Sequence, residues 1–385
     1  MTSTDRRAFL QATGLAGAFS ALSSSAFGQT AAGSAIHEKA QSAAPEAKHS
    51  IRFGVIGLDH AHIYGMTQAV QRGGGKVVAV YGTDKQQIAD FLARFGDVKV
   101  ARSEHEILED KSIQLILGAP VPDQRAPLGV RAMRAGKDYL ADKPGIVTLE
   151  QLEEVRRAVA ETGRKFAIMY SERLEVRAAV YAGELIKRGA IGKVIQTINL
   201  GPHRVNAPSR PDWFWDKARF GGILTDIGSH QADQFLYYTN STRARVIASQ
   251  TGNLAHPEHP RFEDFGDMLI QGDGGTGYVR VDWYTPDGLG TWGDGRLFVL
   301  GTEGYLELRK YINVASNLSG GNHLYIVDNK QARYIDCSAV ELPFGPQFVT
   351  DIVERTQVAQ DQQQALLAAE LVLLAQKHAT RPILS

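Results

Sequence analysis

Residues 51–62 read Ile-Arg-Phe-Gly-Val-Ile-Gly-Leu-Asp-His-Ala-His, and this stretch decides the fold. A short apolar run stops at Gly57 and gives way to a segment with helical spacing. A buried parallel strand that leads into a helix N-terminus is the arrangement that binds a dinucleotide pyrophosphate. We therefore expect the turn to contact a nucleotide through Gly57, Leu58, Asp59 and His60.

The pattern that starts there continues to residue 170 as short apolar runs that alternate with amphipathic helical stretches. Such alternation predicts an α/β fold with a doubly wound parallel sheet of the Rossmann type. The predicted strands are 51–57, 76–81, 98–101, 113–118, 138–141 and 165–170. The predicted helices between them are 61–72, 85–95, 104–109, 124–135 and 149–162.

Beyond a helix at 177–188 the pattern changes to successive strand-like runs separated by turns such as Gly272-Asp-Gly-Gly275. This change predicts an α+β domain with a large, mostly antiparallel open sheet. The predicted strands are 194–201, 244–253, 267–271, 276–284, 296–301 and 304–308, with helices at 229–238 and 363–379. We expect a nucleotide-binding domain at 50–170 and a substrate-binding domain at 171–385, with the last helix packing back onto the body.

The N-terminus predicts export. Arg6 and Arg7 precede a mild Ala/Gly/Leu run, and residues 26–28 are of the kind that signal peptidase reads. Residues 1–28 are therefore predicted to be a twin-arginine signal peptide that sends the folded protein to the periplasm, a disordered basic terminus being the alternative. The run is too short and too weakly apolar to remain as a membrane span. Residues 29–49, rich in Ala, Ser and Gln, are predicted to be a flexible leader.

Composition narrows the class of partner. Roughly 355 residues follow the signal peptide, which favours two domains. The chain has 42 Lys and Arg against 42 Asp and Glu, so neither nucleic acid nor an anionic membrane is expected as a partner. Cys337 is the only cysteine, which excludes an internal disulfide and a thiolate metal cage. No cluster of His, Asp and Glu has metal-ligand spacing, so no metal is predicted.

The turn after the first strand departs from the dinucleotide fingerprint Gly-x-Gly-x-x-Gly. Gly57 holds the first position, but Asp59 and His62 hold the second and third. We expect Asp59 to cap the following helix instead. From this segment alone, a strand–turn–helix that binds nothing stays an alternative.

The end of the second strand favours NADP over NAD. Gly82 stands where an aspartate would bind the adenosine ribose diol, and Thr83 and Lys85 are placed to contact a 2′-phosphate. Asp84 argues for NAD, and Lys85 is alternatively a solvated surface lysine. Pro120 follows the fourth strand, where we expect the nicotinamide ribose to pass.

Two further segments carry chemistry. Asp142-Lys143-Pro144 follows the fifth strand, which places Lys143 at the carboxyl edge of the sheet, where ligands bind. In Gly221-Gly-Ile-Leu-Thr-Asp226-Ile-Gly-Ser-His230, the acid and the imidazole are four apart and share one helix face. Such a pair is often only a cap or a surface hydrogen bond. The three segments in this order nevertheless predict a Lys/Asp/His site for hydride transfer beside a nicotinamide.

From Ser50 onward the chain resembles the Gfo/Idh/MocA family of glucose–fructose and inositol-type oxidoreductases. The segments that carry the resemblance are 135–144, 188–192, 221–230 and 301–304. Where the family usually has Glu-Lys-Pro, this chain has Asp142-Lys143-Pro144. The export signal and the Tyr81-Gly82-Thr83 turn make it most similar to exported members that retain NADP and resemble glucose-fructose oxidoreductase.

The resemblance implies a role for each of three residues. His230 would take the hydroxyl proton, Lys143 would hydrogen-bond the reacting oxygen, and Asp226 would orient the sugar. The resemblance also implies that Lys143 contacts the cofactor and that the subunits form a homo-dimer or homo-tetramer.

Other candidates for the substrate pocket have weaker signals. Tyr170 and Arg173 follow the sixth strand and are expected at the substrate entrance, with a packing role as the alternative. Trp213, within Pro211-Asp-Trp-Phe-Trp215, suits stacking against a sugar, although core aromatics have the same pattern. His203 and Arg204 are further candidates from the second domain.

We therefore expect an exported, NAD(P)-dependent oxidoreductase that acts on a secondary alcohol of a sugar, glycoside or polyol with a tightly bound cofactor. Such an enzyme could oxidise one sugar and reduce another in turn. One alternative is an NAD-dependent glycosidase that works by transient oxidation and elimination. The other is a non-catalytic relative that only binds a sugar.

Overall fold

The structure, a computed structural model, describes residues 36–381 with the exception of residues 317 and 319. The predicted signal peptide and residues 29–35 of the predicted leader lie outside the described residues. Among the described helices, none combines the length and the apolar character that a membrane crossing needs.

The described residues contain two β-sheets with helices packed against them. The strands are β1 (Ile36–Ser42), β2 (Ile51–Ile56), β3 (Gly75–Tyr81), β4 (Lys99–Val100), β5 (Leu115–Gly118), β6 (Asp138–Asp142), β7 (Phe166–Met169), β8 (Val194–Pro202), β9 (Ala244–Gly252), β10 (Phe265–Gly272), β11 (Gly275–Asp282), β12 (Arg296–Gly301), β13 (Gly304–Arg309), β14 (His323–Asp328) and β15 (Ala332–Val340). The helices are α1 (His62–Arg72), α2 (Lys85–Phe95), α3 (Glu104–Glu109), α4 (Pro122–Arg134), α5 (Leu149–Thr162), α6 (Ser171–Leu174), α7 (Arg177–Lys187), α8 (Lys217–Phe220), α9 (Ile223–Asp226), α10 (Gly228–Thr239), α11 (Phe344–Glu354) and α12 (Gln362–His378).

The first sheet is parallel, with the strand order β4-β3-β2-β5-β6-β7. Its central strands are nearly all apolar because helices cover both faces; Phe53, Val55 and Leu115 are fully buried. The direction of winding reverses between the neighbours β2 and β5. Ligands of such sheets bind outside the carboxyl ends of the strands at this reversal. The predicted doubly wound sheet is confirmed.

Side-chain caps begin three of the helices that connect these strands. Asp84, Ser103 and Thr148 accept backbone N–H groups at the starts of α2, α3 and α5. In contrast, α1 begins after Ala61 without a side-chain cap. The prediction that Asp59 caps α1 is therefore wrong, because Asp59 lies two residues before the N-cap position.

The second sheet has nine strands in the order β1-β15-β14-β13-β12-β8-β11-β10-β9. Most of its neighbours are antiparallel, and β8 pairs in parallel with β11. Helices α7, α10 and α12 pack on it. In β8, Thr197 and Asn199 face this layer and are buried, whereas Ile195 and Ile198 are exposed. The predicted large, mostly antiparallel open sheet is confirmed.

One strand of this sheet comes from the predicted leader. Residues 36–42 form β1, which pairs in parallel with β15. Ala40 is buried there, and the backbone N–H of Ala44 donates to the carboxylate of Glu341 at 2.7 Å. The flexible-leader prediction is wrong for these residues, because the unpaired edge of β15 supplies backbone partners that composition does not reveal.

Helix α12 lies between the two sheets. Gln362 accepts the backbone N–H of Phe166 in β7 at 2.8 Å. At the other end, Gln376 accepts the backbone N–H of Leu224 in α9 at 3.1 Å. The C-terminal helix thus connects the parallel sheet to the helices that carry Asp226.

Candidate functional site

Lys143 and Asp226, far apart in sequence, form an ion pair at the carboxyl end of the parallel sheet. Lys143 directly follows β6, and its Nζ donates to Oδ1 of Asp226 at 2.9 Å. The two side chains are 5% and 13% exposed. Although burial alone would raise it, the attraction of Lys143 lowers the pKa of Asp226 below its ordinary value. Lys143 therefore faces an ionised carboxylate.

A cavity of about 240 Å³ lies at this ion pair. Its volume is small compared with pockets for drug-sized ligands and suits a monosaccharide. The residues that follow strands of the parallel sheet contribute one side, and segments around the second sheet contribute the other. The lining residues are His60, His62, Pro122, Arg125, Lys143, His203, Arg204, Arg210, Trp213, Phe214, Asp226, Trp283 and Trp292.

His230 lies four residues after Asp226, at the start of α10, but it is not among the lining residues. Its side chain is buried, and its Nδ1 has no hydrogen-bond partner in the part of the chain that the structure describes. Burial lowers the pKa of His230 to about 3, although the charge of Glu172 opposes the shift. Of the three predicted catalytic residues, the structure brings Lys143 and Asp226 together and places His230 outside the cavity lining.

His203, which follows β8, is a second imidazole at the site. Its Nδ1 lies 3.1 Å from the carbonyl oxygen of Gly201, so Nδ1 carries the proton and donates, which leaves a lone pair on Nε2. Burial and then repulsion from Lys143 lower the pKa of His203 to about 4. The ring packs 4.4 Å from that of Trp292. His203 is thus a neutral proton acceptor in the cavity wall.

Asp142 anchors a pair of histidines at the same edge. Its Oδ2 and Oδ1 accept from Nδ1 of His60 at 2.7 Å and Nδ1 of His62 at 2.9 Å. Nη2 of Arg125 lies 2.9 Å from Oδ2, and the backbone N–H of Lys143 donates to Oδ1 at 2.7 Å. Although burial alone would raise it, Arg125 holds the pKa of Asp142 well below its ordinary value. Both imidazoles therefore keep Nε2 free of these bonds.

The same three side chains meet the geometric requirement for a metal site, with potential ligand atoms of His60, His62 and Asp142 all within 4.8 Å of one another. This corrects the expectation that no such cluster exists, because the fold joins a His-x-His turn to an aspartate 80 residues later. Oδ1 of Asp142 already accepts two hydrogen bonds, and Oδ2 accepts one and lies in an ion pair with Arg125. The contacts therefore favour a hydrogen-bonded histidine pair over a metal centre.

The crevice at the sheet reversal is built by two loops in close contact. Gly57 has φ of +83°, and a Cβ there would come within 2.7 Å of Pro120. The backbone N–H of His60 donates to the carbonyl of Ala119 at 3.2 Å, which ties the loop after β2 to the loop after β5. Glycine at position 57 is thus required by this approach as well as by the turn.

Two other residues of this turn have different surroundings. Leu58 is buried in the core, whereas Asp59 is partly exposed. Burial raises the pKa of Asp59 above its ordinary value. Because α1 lacks a side-chain cap, the backbone N–H groups of its first turn remain available to an anion. The turn therefore fits a dinucleotide phosphate despite the missing second glycine.

At the end of β3, Gly82 stands where an acidic residue would contact the ribose, and the nearby carboxylate of Asp84 is already occupied. Oδ1 of Asp84 accepts the backbone N–H groups of residues 86 and 87 at 2.8 and 2.9 Å, so this carboxylate serves as the cap of α2. Thr83 and Lys85 are exposed beside it. The structure thus keeps both predicted phosphate contacts accessible.

Tyr170 and Arg173 do not reach the cavity. Tyr170 is 1% exposed, and its hydroxyl donates to the carbonyl of Ala365 in α12 at 3.3 Å. Arg173 donates from Nε and Nη2 to both carboxylate oxygens of Asp233 in α10, at 2.6 and 2.9 Å. The prediction that they line the substrate entrance is wrong, because the chain after β7 turns inward beneath α10 and α12.

Trp213 does lie in the cavity wall, with its ring 6.5 Å from that of His60. Four other lining residues were not singled out in the sequence: Arg125, Arg210, Trp283 and Trp292. Arg210 directly precedes the Pro-Asp-Trp segment, and Trp292 is the one aromatic residue between Gly288 and Gly295. The Pro-Asp-Trp segment could have pointed to Arg210, and the surrounding glycines could have pointed to Trp292. Arg125 is buried on a helix and gives none.

Two family models match the chain. The model described as an oxidoreductase family with an NAD-binding Rossmann fold matches residues 51–170. The model described as the GFO/IDH/MocA C-terminal domain matches residues 180–307. Together they cover more than half of the sequence.

Individual relatives agree with these matches. The chain is 25% identical over 304 residues to scyllo-inositol 2-dehydrogenase (NAD(+)) of Bacillus subtilis (strain 168), covering 77% of this chain and 85% of the relative. It is 26% identical to 1,5-anhydro-D-fructose reductase of Ensifer adhaerens, covering 51% and 59%. A solved structure from Erwinia carotovora atroseptica SCRI1043, described only in general terms as an oxidoreductase, is 49% identical with a TM-score of 0.83, covering 86% and 99%.

Proposed function

Because the chain belongs to the GFO/IDH/MocA family of NAD(P)-dependent oxidoreductases, we propose that it oxidises a secondary alcohol of a sugar, glycoside or polyol. The observation that carries the proposal is the buried ion pair between Lys143 and Asp226 at the carboxyl end of the parallel sheet. Relatives with 25% and 26% identity act on an inositol and an anhydro sugar, which supports a polyol substrate.

The side chains supply what alcohol oxidation needs besides a hydride acceptor, which a bound nicotinamide provides. The Lys143 ammonium stabilises the negative charge that develops on the reacting oxygen as its proton leaves. Asp226 keeps that ammonium in place through the 2.9 Å contact. The side chains of Trp213, Trp283 and Trp292 give one wall of the cavity an aromatic surface.

Two neutral histidines are candidates for the proton acceptor. The resemblance assigns this role to His230, whereas His203 has the position in the cavity wall and a lone pair on Nε2. Both have pKa values lowered far enough to be neutral at pH 7. We propose that one of them takes the hydroxyl proton and that comparison of the two variants identifies which.

The proposal includes NADP as the preferred cofactor, tight retention of that cofactor and export to the periplasm by the twin-arginine route. The preference for NADP is supported by Gly82, Thr83 and Lys85, and export is supported by Arg6 and Arg7. Export separates the protein from the cytoplasmic nucleotide pool, which favours a cofactor that stays bound. Replacing both arginines by lysine should retain the protein in the cytoplasm, as measured by cell fractionation. Absence of nucleotide in the periplasmic protein would argue against retention.

The activity is tested on purified protein by reading the absorbance of its nucleotide while a panel of sugars and polyols is added. Lys143→Met is expected to lower turnover by roughly 100-fold or more while nucleotide stays bound. Lys217→Met, which removes a lysine paired with Glu263 outside the cavity, is the control. Normal turnover in Lys143→Met would overturn the assignment. His203→Asn and His230→Asn should differ, with the larger loss in the proton acceptor.

The same assay distinguishes the two alternative functions. With an aryl glycoside, release of the aglycone without net reduction of the nucleotide would indicate a glycosidase that oxidises its substrate transiently. A bound nucleotide whose absorbance no sugar or polyol changes would indicate a relative that only binds its ligand.

A further inference from the structure

The cavity at Lys143 is lined by more cationic side chains than carboxylates. Two of its four cationic side chains have a buried partner: Lys143 with Asp226 and Arg125 with Asp142, each at 2.9 Å. Asp226 is the only carboxylate among the lining residues. Each of these pairs is locally neutral.

The other two cations, Arg204 and Arg210, are not balanced in this way. Arg204 lies 3.6 Å from Asp287, whose side chain is fully exposed, and such a pair contributes little in water. Arg210 makes no ion pair with any residue that the structure describes. The cavity therefore has an excess positive charge centred on Arg210.

The guanidinium of Arg210 is held rigidly. Its Nε donates to the carbonyl of Val205 at 2.6 Å, and its Nη2 donates to the carbonyl of Arg204 at 3.1 Å. It lies over the ring of Phe214 at 4.3 Å and near that of Trp283 at 4.9 Å. A guanidinium has five N–H groups, so donors remain after these two bonds. Nη1 makes no hydrogen bond within residues 36–381 as described.

A structural role alone does not account for a charge at this place. Burial lowers the pKa of Arg210, and only the attraction of Asp226 opposes that shift. Arg210 is partly buried, and even partial burial of a cation without an ion-pair partner is unfavourable, whereas a neutral side chain such as glutamine could still donate to the two carbonyls. The rings of Phe214 and Trp283 attract the cation without neutralising it, so its charge remains available to an anionic ligand.

We propose that Arg210 binds a carboxylate of the substrate, which makes the substrate a monosaccharide-sized sugar acid such as a uronate or an aldonate. This assignment rests on the proposed oxidoreductase function. Arg204 keeps a weak pair with Asp287, whereas Arg210 has no ion pair among the described residues, so a single carboxylate is the counter-charge that Arg210 lacks. A stacked guanidinium presents its remaining donors in the plane that a carboxylate requires. A phosphate would bring up to twice that charge.

The test compares matched pairs of sugars that differ only in the charged group. D-Glucuronate and D-galacturonate are assayed against D-glucose and D-galactose, with D-glucose 6-phosphate as a third arm. Wild-type protein is expected to favour the uronates in kcat/KM by about 10- to 100-fold. Arg210→Gln should abolish that preference by raising KM for uronates while leaving neutral sugars nearly unchanged. Arg188→Gln, which removes an exposed arginine directly after α7, is the control.

Several outcomes would overturn the assignment. Equal losses for charged and neutral sugars in Arg210→Gln would show that Arg210 only fixes its loop. A higher KM for the nicotinamide cofactor would place it at the cofactor instead, and a preference for the phosphate would exclude the carboxylate.

Calorimetry separates this failure from failure of the proposed function. If the protein turns over neutral sugars but shows no preference for uronates, the oxidoreductase function stands and the assignment of Arg210 is wrong. If calorimetry shows that wild-type protein binds D-glucuronate and that Arg210→Gln does not, but no sugar is turned over, the assignment of Arg210 stands and the proposed oxidoreductase function is wrong.

Discussion

Nη2 of Arg125 lies 2.9 Å from Oδ2 of Asp142, and both side chains are almost completely buried. Through Asp142 this pair also holds His60 and His62, and it fixes the backbone of Lys143. The geometry of the ammonium therefore depends on a carboxylate one residue away. Asp142 acts as a positioning residue for the site.

Replacing Asp142 by asparagine tests this dependence. Asn keeps the shape but removes the charge, so Arg125 is left buried without a carboxylate partner and both histidines lose a charged acceptor. We expect the free energy of unfolding to fall by about 3–5 kcal/mol. We also expect kcat to fall more than KM rises, since the substrate does not touch Asp142. Urea unfolding and steady-state kinetics measure the two effects; a variant as stable and active as wild type contradicts the role.

Gly82→Asp should change the cofactor preference. The new carboxylate would accept from the adenosine ribose diol and repel a 2′-phosphate, favouring NAD over NADP. A Cβ at position 82 would lie 3.1 Å from Cδ1 of Leu58, a side chain that can adjust. The ratio of the dissociation constants for the two nucleotides is expected to shift toward NAD by about 10-fold or more. Lys85→Ala should shift it the same way, and an unchanged ratio in both variants argues against NADP.

Arg173→Met should affect stability and not substrate recognition. It leaves Asp233 buried without its partner, which is expected to lower the free energy of unfolding by about 3–5 kcal/mol. The double variant Arg173→Met, Asp233→Leu should recover most of that loss because no unpaired charge remains. KM for the best sugar should be unchanged in the double variant. A large rise in KM would return Arg173 to the substrate site.

The strands of the parallel sheet were easier to predict from the sequence than those of the nine-stranded sheet, for a physical reason. A parallel strand buried on both faces is a continuous apolar run, so β2, β5 and β6 are visible in the sequence. In contrast, β15 mixes apolar residues such as Tyr334 and Ile335 with charged and small ones in no regular period, and β1 needs the edge of β15 as its partner, so neither has a clear local signal. At the site, Lys143 and Asp226 stand beside glycine and proline motifs, whereas the role of Arg125 is visible only from its tertiary contact with Asp142.

Two histidines with lowered pKa values, His203 and His230, predict a loss of stability in mild acid. The pKa of His203 is about 4 and that of His230 about 3 in the folded protein, against an ordinary value of 6.5. Between these values the unfolded chain binds protons that the folded chain does not, so stability is complete above pH 6.5 and falls as the pH drops toward 4. Urea midpoints measured from pH 8 to pH 4.5 should show this decline.

His203→Asn identifies the contribution of one of these groups. Asparagine can still donate to the carbonyl of Gly201 but does not titrate. The difference in unfolding free energy between pH 8 and pH 5 should shrink by on the order of 2 kcal/mol relative to wild type. An unchanged difference would mean that the fold does not lower the pKa of His203.

The outer face of the nine-stranded sheet predicts self-association, and we propose a homo-dimer or homo-tetramer formed through it. Leu269 is opposite Tyr278, and Tyr278 is opposite Ile198, so these side chains form one apolar row across three strands. Leu269 is 40% and Ile198 36% exposed in the single chain. An apolar row on an open sheet is stabilised when a second copy covers it.

Ile198→Glu places a charge in the middle of that row and should reduce the assembly to a smaller species, as measured by light scattering after size exclusion. Val358→Glu is the matched control, because Val358 is equally apolar and more exposed but lies outside the sheet. A glutamate without a partner is costly when an interface buries it and costs little when it stays in water. Only Ile198→Glu should therefore dissociate. The same mass for Ile198→Glu and wild type would show that this face does not join subunits.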